Sequence, residues 1–106
     1  MSVDITDNTD EVLRALSSAK QRALERIGLS GEGYAKKECP VDTGNLRNSI
    51  THARDDDAAY IGTNVEYAPY VELGTSKMKA RPFLKPAATE HTTVYRRILE
   101  DELKGT

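Results

Sequence analysis

Tryptophan is absent, and phenylalanine and cysteine each occur once, as Phe83 and Cys39. One cysteine excludes an internal disulfide, and it suits folding in a reducing cytosol. No run of residues is apolar and long enough to cross a bilayer. The first residues, Met1-Ser2-Val3-Asp4, lack the basic and apolar segments of a secretory signal, so synthesis and use without secretion are expected. The two histidines, His52 and His91, have no metal-ligand spacing. They read as an ordinary strand residue and a solvated helix residue. A formal charge of −2 identifies no partner class, so charge matters here through its distribution.

What is present is one domain's worth of chain, 106 residues, with 38% hydrophobic and 30% charged residues. A domain this short buries roughly 60–70% of its extended-chain surface. So polar a chain gains from burying further apolar surface against copies of itself or a partner.

Val3 and Ile5 alternate with polar residues and suggest a short edge strand. Asn8 and Glu11 stand in capping-box positions ahead of Val12, Leu13, Leu16, Ala19, Ala23, Leu24 and Ile27 at helical spacing. Gly28, Gly31 and Gly33 each cost about 1 kcal/mol in a helix interior. Continuation through them is nevertheless expected, with small residues against a close neighbour, because Leu24, Ile27, Gly31, Tyr34 and Ala35 hold one face. Pro40 ends the helix. From about residue 9 to 38 it would span roughly 45 Å, more than a compact domain of this size, so part should project.

Asp42 or Thr43 should cap a single helical turn through Leu46 and Arg47. Residues 49–54 and 58–63 predict a hairpin around Asp55-Asp56-Asp57, with Tyr60 and Ile61 on opposite faces. Ala68-Pro69 predicts a helical turn ending at Gly74. Residues 75–80 read as a loop or third strand. Pro86 should open a last helix carrying Ala88, Thr92, Tyr95, Leu99 and Leu103 on one side and ending at Gly105.

Cys39 with a distant histidine could form a nucleophile and base, but a thiol beside Pro40 is more simply a small buried apolar residue. The three aspartates lack the spacing of a calcium loop and read as a solvated turn. The glycines match no phosphate-binding pattern. No catalytic, cofactor-binding or metal residues emerge.

Residues 67–86 carry half of the chain's aromatics. Tyr67, Tyr70, Val71 and Leu73 form one apolar knot, and Pro82, Phe83, Leu84 and Pro86 another. Between and beside them lie Lys77, Lys79, Arg81 and Lys85, with no acid between Glu72 and Glu90. This is either a solvated cationic loop or, repeated around a ring axis, a belt able to meet phosphates or an acidic partner. The aspartates would form an acidic belt by the same logic. Tyr67, Tyr70, Phe83 and Leu84 divide between core and intersubunit contact, where aromatics dominate. Glu72 is expected to pair with Arg81 or Arg47.

Four motifs follow in order: Pro40-Val41-Asp42-Thr43-Gly44-x-Leu46-Arg47-x-Ser49-Ile50, Ile61-Gly62-Thr63-Asn64, Tyr67-Ala68-x-Tyr70-Val71-Glu72-x-Gly74-Thr75 and Ala80-Arg81-Pro82-Phe83-Leu84-x-Pro86-Ala87. The chain resembles the small tail-component proteins of long-tailed double-stranded-DNA bacteriophages, typified by gene product ten of phage HK ninety-seven. The likeness covers nearly the whole chain, most specifically Pro40 to Ala87. It implies an α+β fold in which a long N-terminal helix and a C-terminal helix pack on a small antiparallel sheet. It implies a non-enzymatic virion protein at the head–tail junction, made in the host cytoplasm and acting as a homo-oligomeric ring, commonly a hexamer. Its partners would be head connector proteins and the tail tube or terminator, with double-stranded DNA passing the bore and no cofactor. The rival readings are a nucleic-acid-binding module using the basic loop 77–85 and a thiol enzyme built on Cys39.

Overall fold

The computed structural model describes residues 5–40 and 44–105. Five helices and one hairpin follow in order: α1 Ile5–Glu38, α2 Asn45–Ser49, β1 Thr51–Arg54, β2 Ala59–Gly62, α3 Ala68–Leu73, α4 Leu84–Thr89 and α5 Thr92–Lys104. The fold is α+β, a long N-terminal and a C-terminal helix packed with a two-stranded antiparallel sheet.

The 34 residues of α1 form the spine, about 51 Å long at 1.5 Å per residue. The molecule is correspondingly drawn out, 74 × 23 × 22 Å. Both strands and α2, α4 and α5 pack on α1. Its buried alanines, Ala19, Ala23 and Ala35, are wholly covered. Residues 11–18 are all exposed, so the projection expected from helix length is present.

The helix runs unbroken through its glycines, two of which serve as notches. A Cβ on Gly28 would lie 2.9 Å from Cδ2 of His52, and one on Gly31 would lie 3.1 Å from Cγ2 of Ile61. The sheet rests closely against α1 where it has no side chains, and that packing offsets the helix-propensity cost. Gly33 faces open space.

Several boundaries differ from expectation. Ile5 belongs to α1 and not to a strand, so Asn8 lies inside the helix. With no proline or glycine before residue 28, nothing stops an established helix from extending backward. Val3, Asp42 and Thr43 lie outside the described residues, and α2 follows Gly44, whose φ is 72°. Ser49 ends α2, with its hydroxyl donating to the Leu46 carbonyl at 2.6 Å, so β1 starts two residues later than predicted.

The strands pair with His52 opposite Ile61 and Ala53 opposite Tyr60. Asp55 builds the turn: its Oδ1 accepts the N–H groups of Asp57 and Ala58, both at 2.8 Å. The Asp57 N–H, then the Tyr60 hydroxyl and the Ala58 N–H, hold the Asp55 carboxyl below its ordinary range.

The single last helix expected from Pro86 is two helices, α4 and α5, parted at Glu90 and His91. Thr89, His91, Thr92 and Thr93 are all indifferent helix formers. Leaving the helix lets His91 stack on Tyr34, with centroids 3.5 Å apart and planes 1° from parallel. Tyr95 meets Tyr34 edge-on and donates its hydroxyl proton to the Ala87 carbonyl at 2.5 Å. Helix α5 then returns along α1, where Glu102 accepts from Arg22 and Arg26 at 3.1 and 3.0 Å. The core lies at the opposite end of α1, where Ala35, Cys39, Leu46, Ile50, Ala68, Phe83 and Ala87 meet.

Candidate assembly surface

The segment from Tyr67 to Lys85 is held by its own backbone. Helix α3 opens with Pro69 in its first turn, where a missing N–H costs nothing. Gly74 closes it with φ 78° and ψ 173°, a conformation that side-chain-bearing residues rarely adopt. The chain then doubles back: Thr75 and Met78 exchange backbone hydrogen bonds at 2.8 and 3.3 Å, and the Arg81 N–H donates to the Val71 carbonyl at 2.8 Å. Residues 75–80 thus form a loop and not a third strand.

Glu72 locks this arrangement. Its Oε1 accepts the N–H groups of Phe83 and Leu84 at 3.1 and 2.8 Å, and Oε2 accepts that of Lys85 at 3.2 Å. A carboxylate from α3 therefore satisfies the unpaired donors at the start of α4. The backbone at the start of α4 thus holds Glu72 in place. A sequence signal did exist, since an acid between Val71 and Leu73 needs buried donors, but nothing local points to residues eleven to thirteen positions downstream.

The structure divides the aromatic candidates. Phe83 is wholly buried and belongs to the subunit's own core, so its side chain presents nothing to a neighbour. Leu84 is half-buried against that core. Tyr67 and Tyr70 are 40% and 59% exposed, and Leu73, which sequence reasoning did not single out as an interface residue, is 78% exposed. Beside them a trough of about 400 Å³ is lined by apolar Val65, Ala68, Pro69, Leu73 and Leu84 and by the acids Glu66 and Glu72. Lys77, Lys79, Arg81 and Lys85 all lie on exposed positions. At the other extremity, Val12, Leu13 and Leu16 are 53%, 59% and 41% exposed.

Neither histidine is an ordinary surface residue. His52 lies over Gly28, with Nε2 2.8 Å from Glu25 and Nδ1 3.0 Å from Glu32. The Glu25 carboxylate, then Glu32, pushes its pKa up. Glu32 is in turn held below its ordinary range, chiefly by His52. Two acids seven residues apart with a glycine between them, all on one helix face, were the legible sign of a ring docked in a notch.

Cys39 is buried, and its Sγ donates to the Pro40 carbonyl at 3.4 Å. Burial pushes the thiol pKa up, the reverse of what a nucleophilic cysteine needs. Among the described residues, no group of three His, Cys, Asp or Glu side chains is placed to hold a metal ion. No described helix is long and apolar enough to cross a membrane.

The molecule is elongated and helical, with exposed apolar side chains toward both ends. A family profile described as "Bacteriophage HK97-gp10, putative tail-component" matches residues 4–74, about two-thirds of the chain. The chain belongs to that family of phage tail components. The match includes the first two sequence motifs and the third through Gly74; the motif from Ala80 to Ala87 lies beyond it. No curated protein and no solved structure matches the chain significantly.

Proposed function

We propose that this protein is a non-enzymatic virion component of the head–tail junction, a tail-completion or head–tail joining protein that works as a ring around the DNA channel. Family membership supplies the particle. The observation that carries the reading further is the uncovered stretch 10–18 of α1: among the described side chains burial begins at Ala19, leaving Val12, Leu13 and Leu16 in water. Apolar surface of that kind on a projecting helix belongs against a neighbour. A hexamer is the stoichiometry carried over from the resemblance. Head connector proteins and the tail tube or terminator are the partners, met after assembly in the host cytoplasm.

Tyr67, Tyr70, Leu84, Glu72 and Arg81 remain the contact segment, with Phe83 supporting it from within. Lys77, Lys79, Arg81 and Lys85 form the cationic belt, which would meet phosphate without sequence preference. A phage lacking this gene should accumulate unjoined heads and tails. Antibody-gold labelling of wild-type virions should mark the neck. Complete, infectious particles in the deletion lysate would end the proposal.

A further inference from the structure

His52 joins the hairpin to α1, and both of its ring nitrogens meet acceptors. Nε2 lies 2.8 Å from Oε1 of Glu25, and Nδ1 lies 3.0 Å from Oε1 of Glu32. A neutral imidazole carries one N–H and one lone pair, whereas an imidazolium donates from both nitrogens. Two carboxylates on one ring are therefore both satisfied only when the ring is charged. Gly28 lets the ring come this close, since a Cβ there would stand 2.9 Å from Cδ2. Across the sheet the neighbour of His52 is Ile61, which brings no charge. The charges that act on the ring are Glu25 and Glu32.

Each acid also has a second cation. The other oxygen of Glu25 lies 3.5 Å from Nε of Arg54, and the other oxygen of Glu32 lies 3.4 Å from Nζ of Lys36. Either acid can let the ring go without losing every partner. They differ in shelter: the Glu25 side chain is 56% exposed and that of Glu32 is 18% exposed. When the ring gives up one proton, Glu25 is the acid that turns to water, and the remaining N–H stays on Nδ1 against Glu32. The other ion pairs between hairpin and α1 are Arg54–Glu25 and Lys20–Asp57. Both are solvent-facing pairs of the kind that contribute little.

We infer that His52 is a proton-operated latch of the hairpin. Charged, it ties β1 to α1 through both acids. Neutral, it releases Glu25, and the hairpin opens from the helix more often while the core around Phe83 stays closed. Opening bares the apolar seam of Ile27, Gly28, Gly31 and Ile61. The latch is a property of the single subunit and stands apart from the head–tail reading. Its sign follows from linkage: the docked hairpin binds the proton more tightly than the open one. The opening constant is therefore lowest below the ordinary histidine pKa of about 6.5. It rises by up to about tenfold per pH unit above that and levels off past the docked value.

Ring NMR and amide exchange corrected for intrinsic rate, both on the full chain, test it. In the wild type the ring should titrate above the ordinary histidine value, and its neutral form should carry the proton on Nδ1. Amides of Thr51–Arg54 and Ala59–Gly62 should open more often across that titration, while those of α1 around Ala35 should not change. Glu25→Gln and Glu32→Gln should each lower the ring midpoint. His52→Gln, and Gly28→Ala by crowding the ring out, should make hairpin opening independent of pH. Circular dichroism identical to wild type establishes that a variant folds, and if Gly28→Ala does not, His52→Gln and Glu25→Gln decide. A ring midpoint at or below the ordinary value overturns the latch. So does a neutral ring protonated on Nε2, hairpin exchange that stays flat while the ring titrates, or the same pH dependence in His52→Gln.

Discussion

Replacing Glu72 by alanine removes one side chain and strands three backbone donors. The N–H groups of Phe83 and Leu84 are part-buried, whereas that of Lys85 is exposed and can turn to water. A net hydrogen bond is worth about 1 kcal/mol, more when the acceptor is charged, so the two sheltered donors account for about 2–3 kcal/mol. Loss of a helix cap alone costs about 1 kcal/mol, a lower bound for the same change. In a chain of this size that corresponds to a fall in melting temperature of roughly 10–20 °C. Glu72→Gln keeps an amide oxygen able to accept one or two of these bonds, so it should fall between alanine and wild type. Urea unfolding followed by circular dichroism gives the comparison through the midpoint at constant slope. If Glu72→Ala unfolds within about 0.5 kcal/mol of wild type, the capping argument fails, since surface substitutions away from such features shift stability by no more than that.

Phe83→Ala empties the centre of a closed core and should cost about 3–5 kcal/mol, read by the same unfolding curves; a loss under 1 kcal/mol would contradict its burial. Gly74→Ala forces a backbone shape suited to glycine and sets Cβ 2.7 Å from the Ala80 nitrogen, so a loss of about 2–3 kcal/mol and faster proteolysis of residues 75–80 are expected. Gly33→Ala meets open space on a helix and should instead stabilise by about 0.5–1 kcal/mol. The His52 pair gives a pH window. His52 is pushed up by Glu25 and Glu32, so its contribution is full below its ordinary pKa of about 6.5 and fades as pH rises through the higher folded value. Glu32 is held down, so its contribution is present above about 4.5 and fades as pH falls. Melting temperature against pH should therefore decline as pH rises past the ordinary histidine value in the wild type, with Arg54 and Lys36 beside the same carboxylates, and His52→Gln should flatten that decline.

The spine was readable because helical spacing survives three glycines, and its reach followed from counting residues. Gly74 and Pro69 bracketed α3 because each restricts the backbone by itself. Failures came where a distant partner decides. His91 leaves the last helix for the ring of Tyr34, 57 residues earlier, and no window of neighbours contains that pairing. Phe83 lies between Pro82 and Leu84 in a knot that reads equally as core or contact; only the closure of Ala35, Leu46 and Ala68 around it settles the matter. The candidate surface was legible as a segment, 67–85, but not by residue, because exposure within α3 depends on which turn faces Val65 and Leu84.

Gly28 and Gly31 have a mechanical consequence. A helix alone would be weakest there, where two residues without side chains raise the backbone's entropy in the free chain. The sheet and α5 splint it there, with His52, Ile61 and Tyr95 filling the gaps from outside. The rod therefore becomes stiff only once the rest of the chain has settled on it. A newly made subunit would present a rigid lever to its surroundings late, after its interior is complete, and a half-folded copy would present a jointed one.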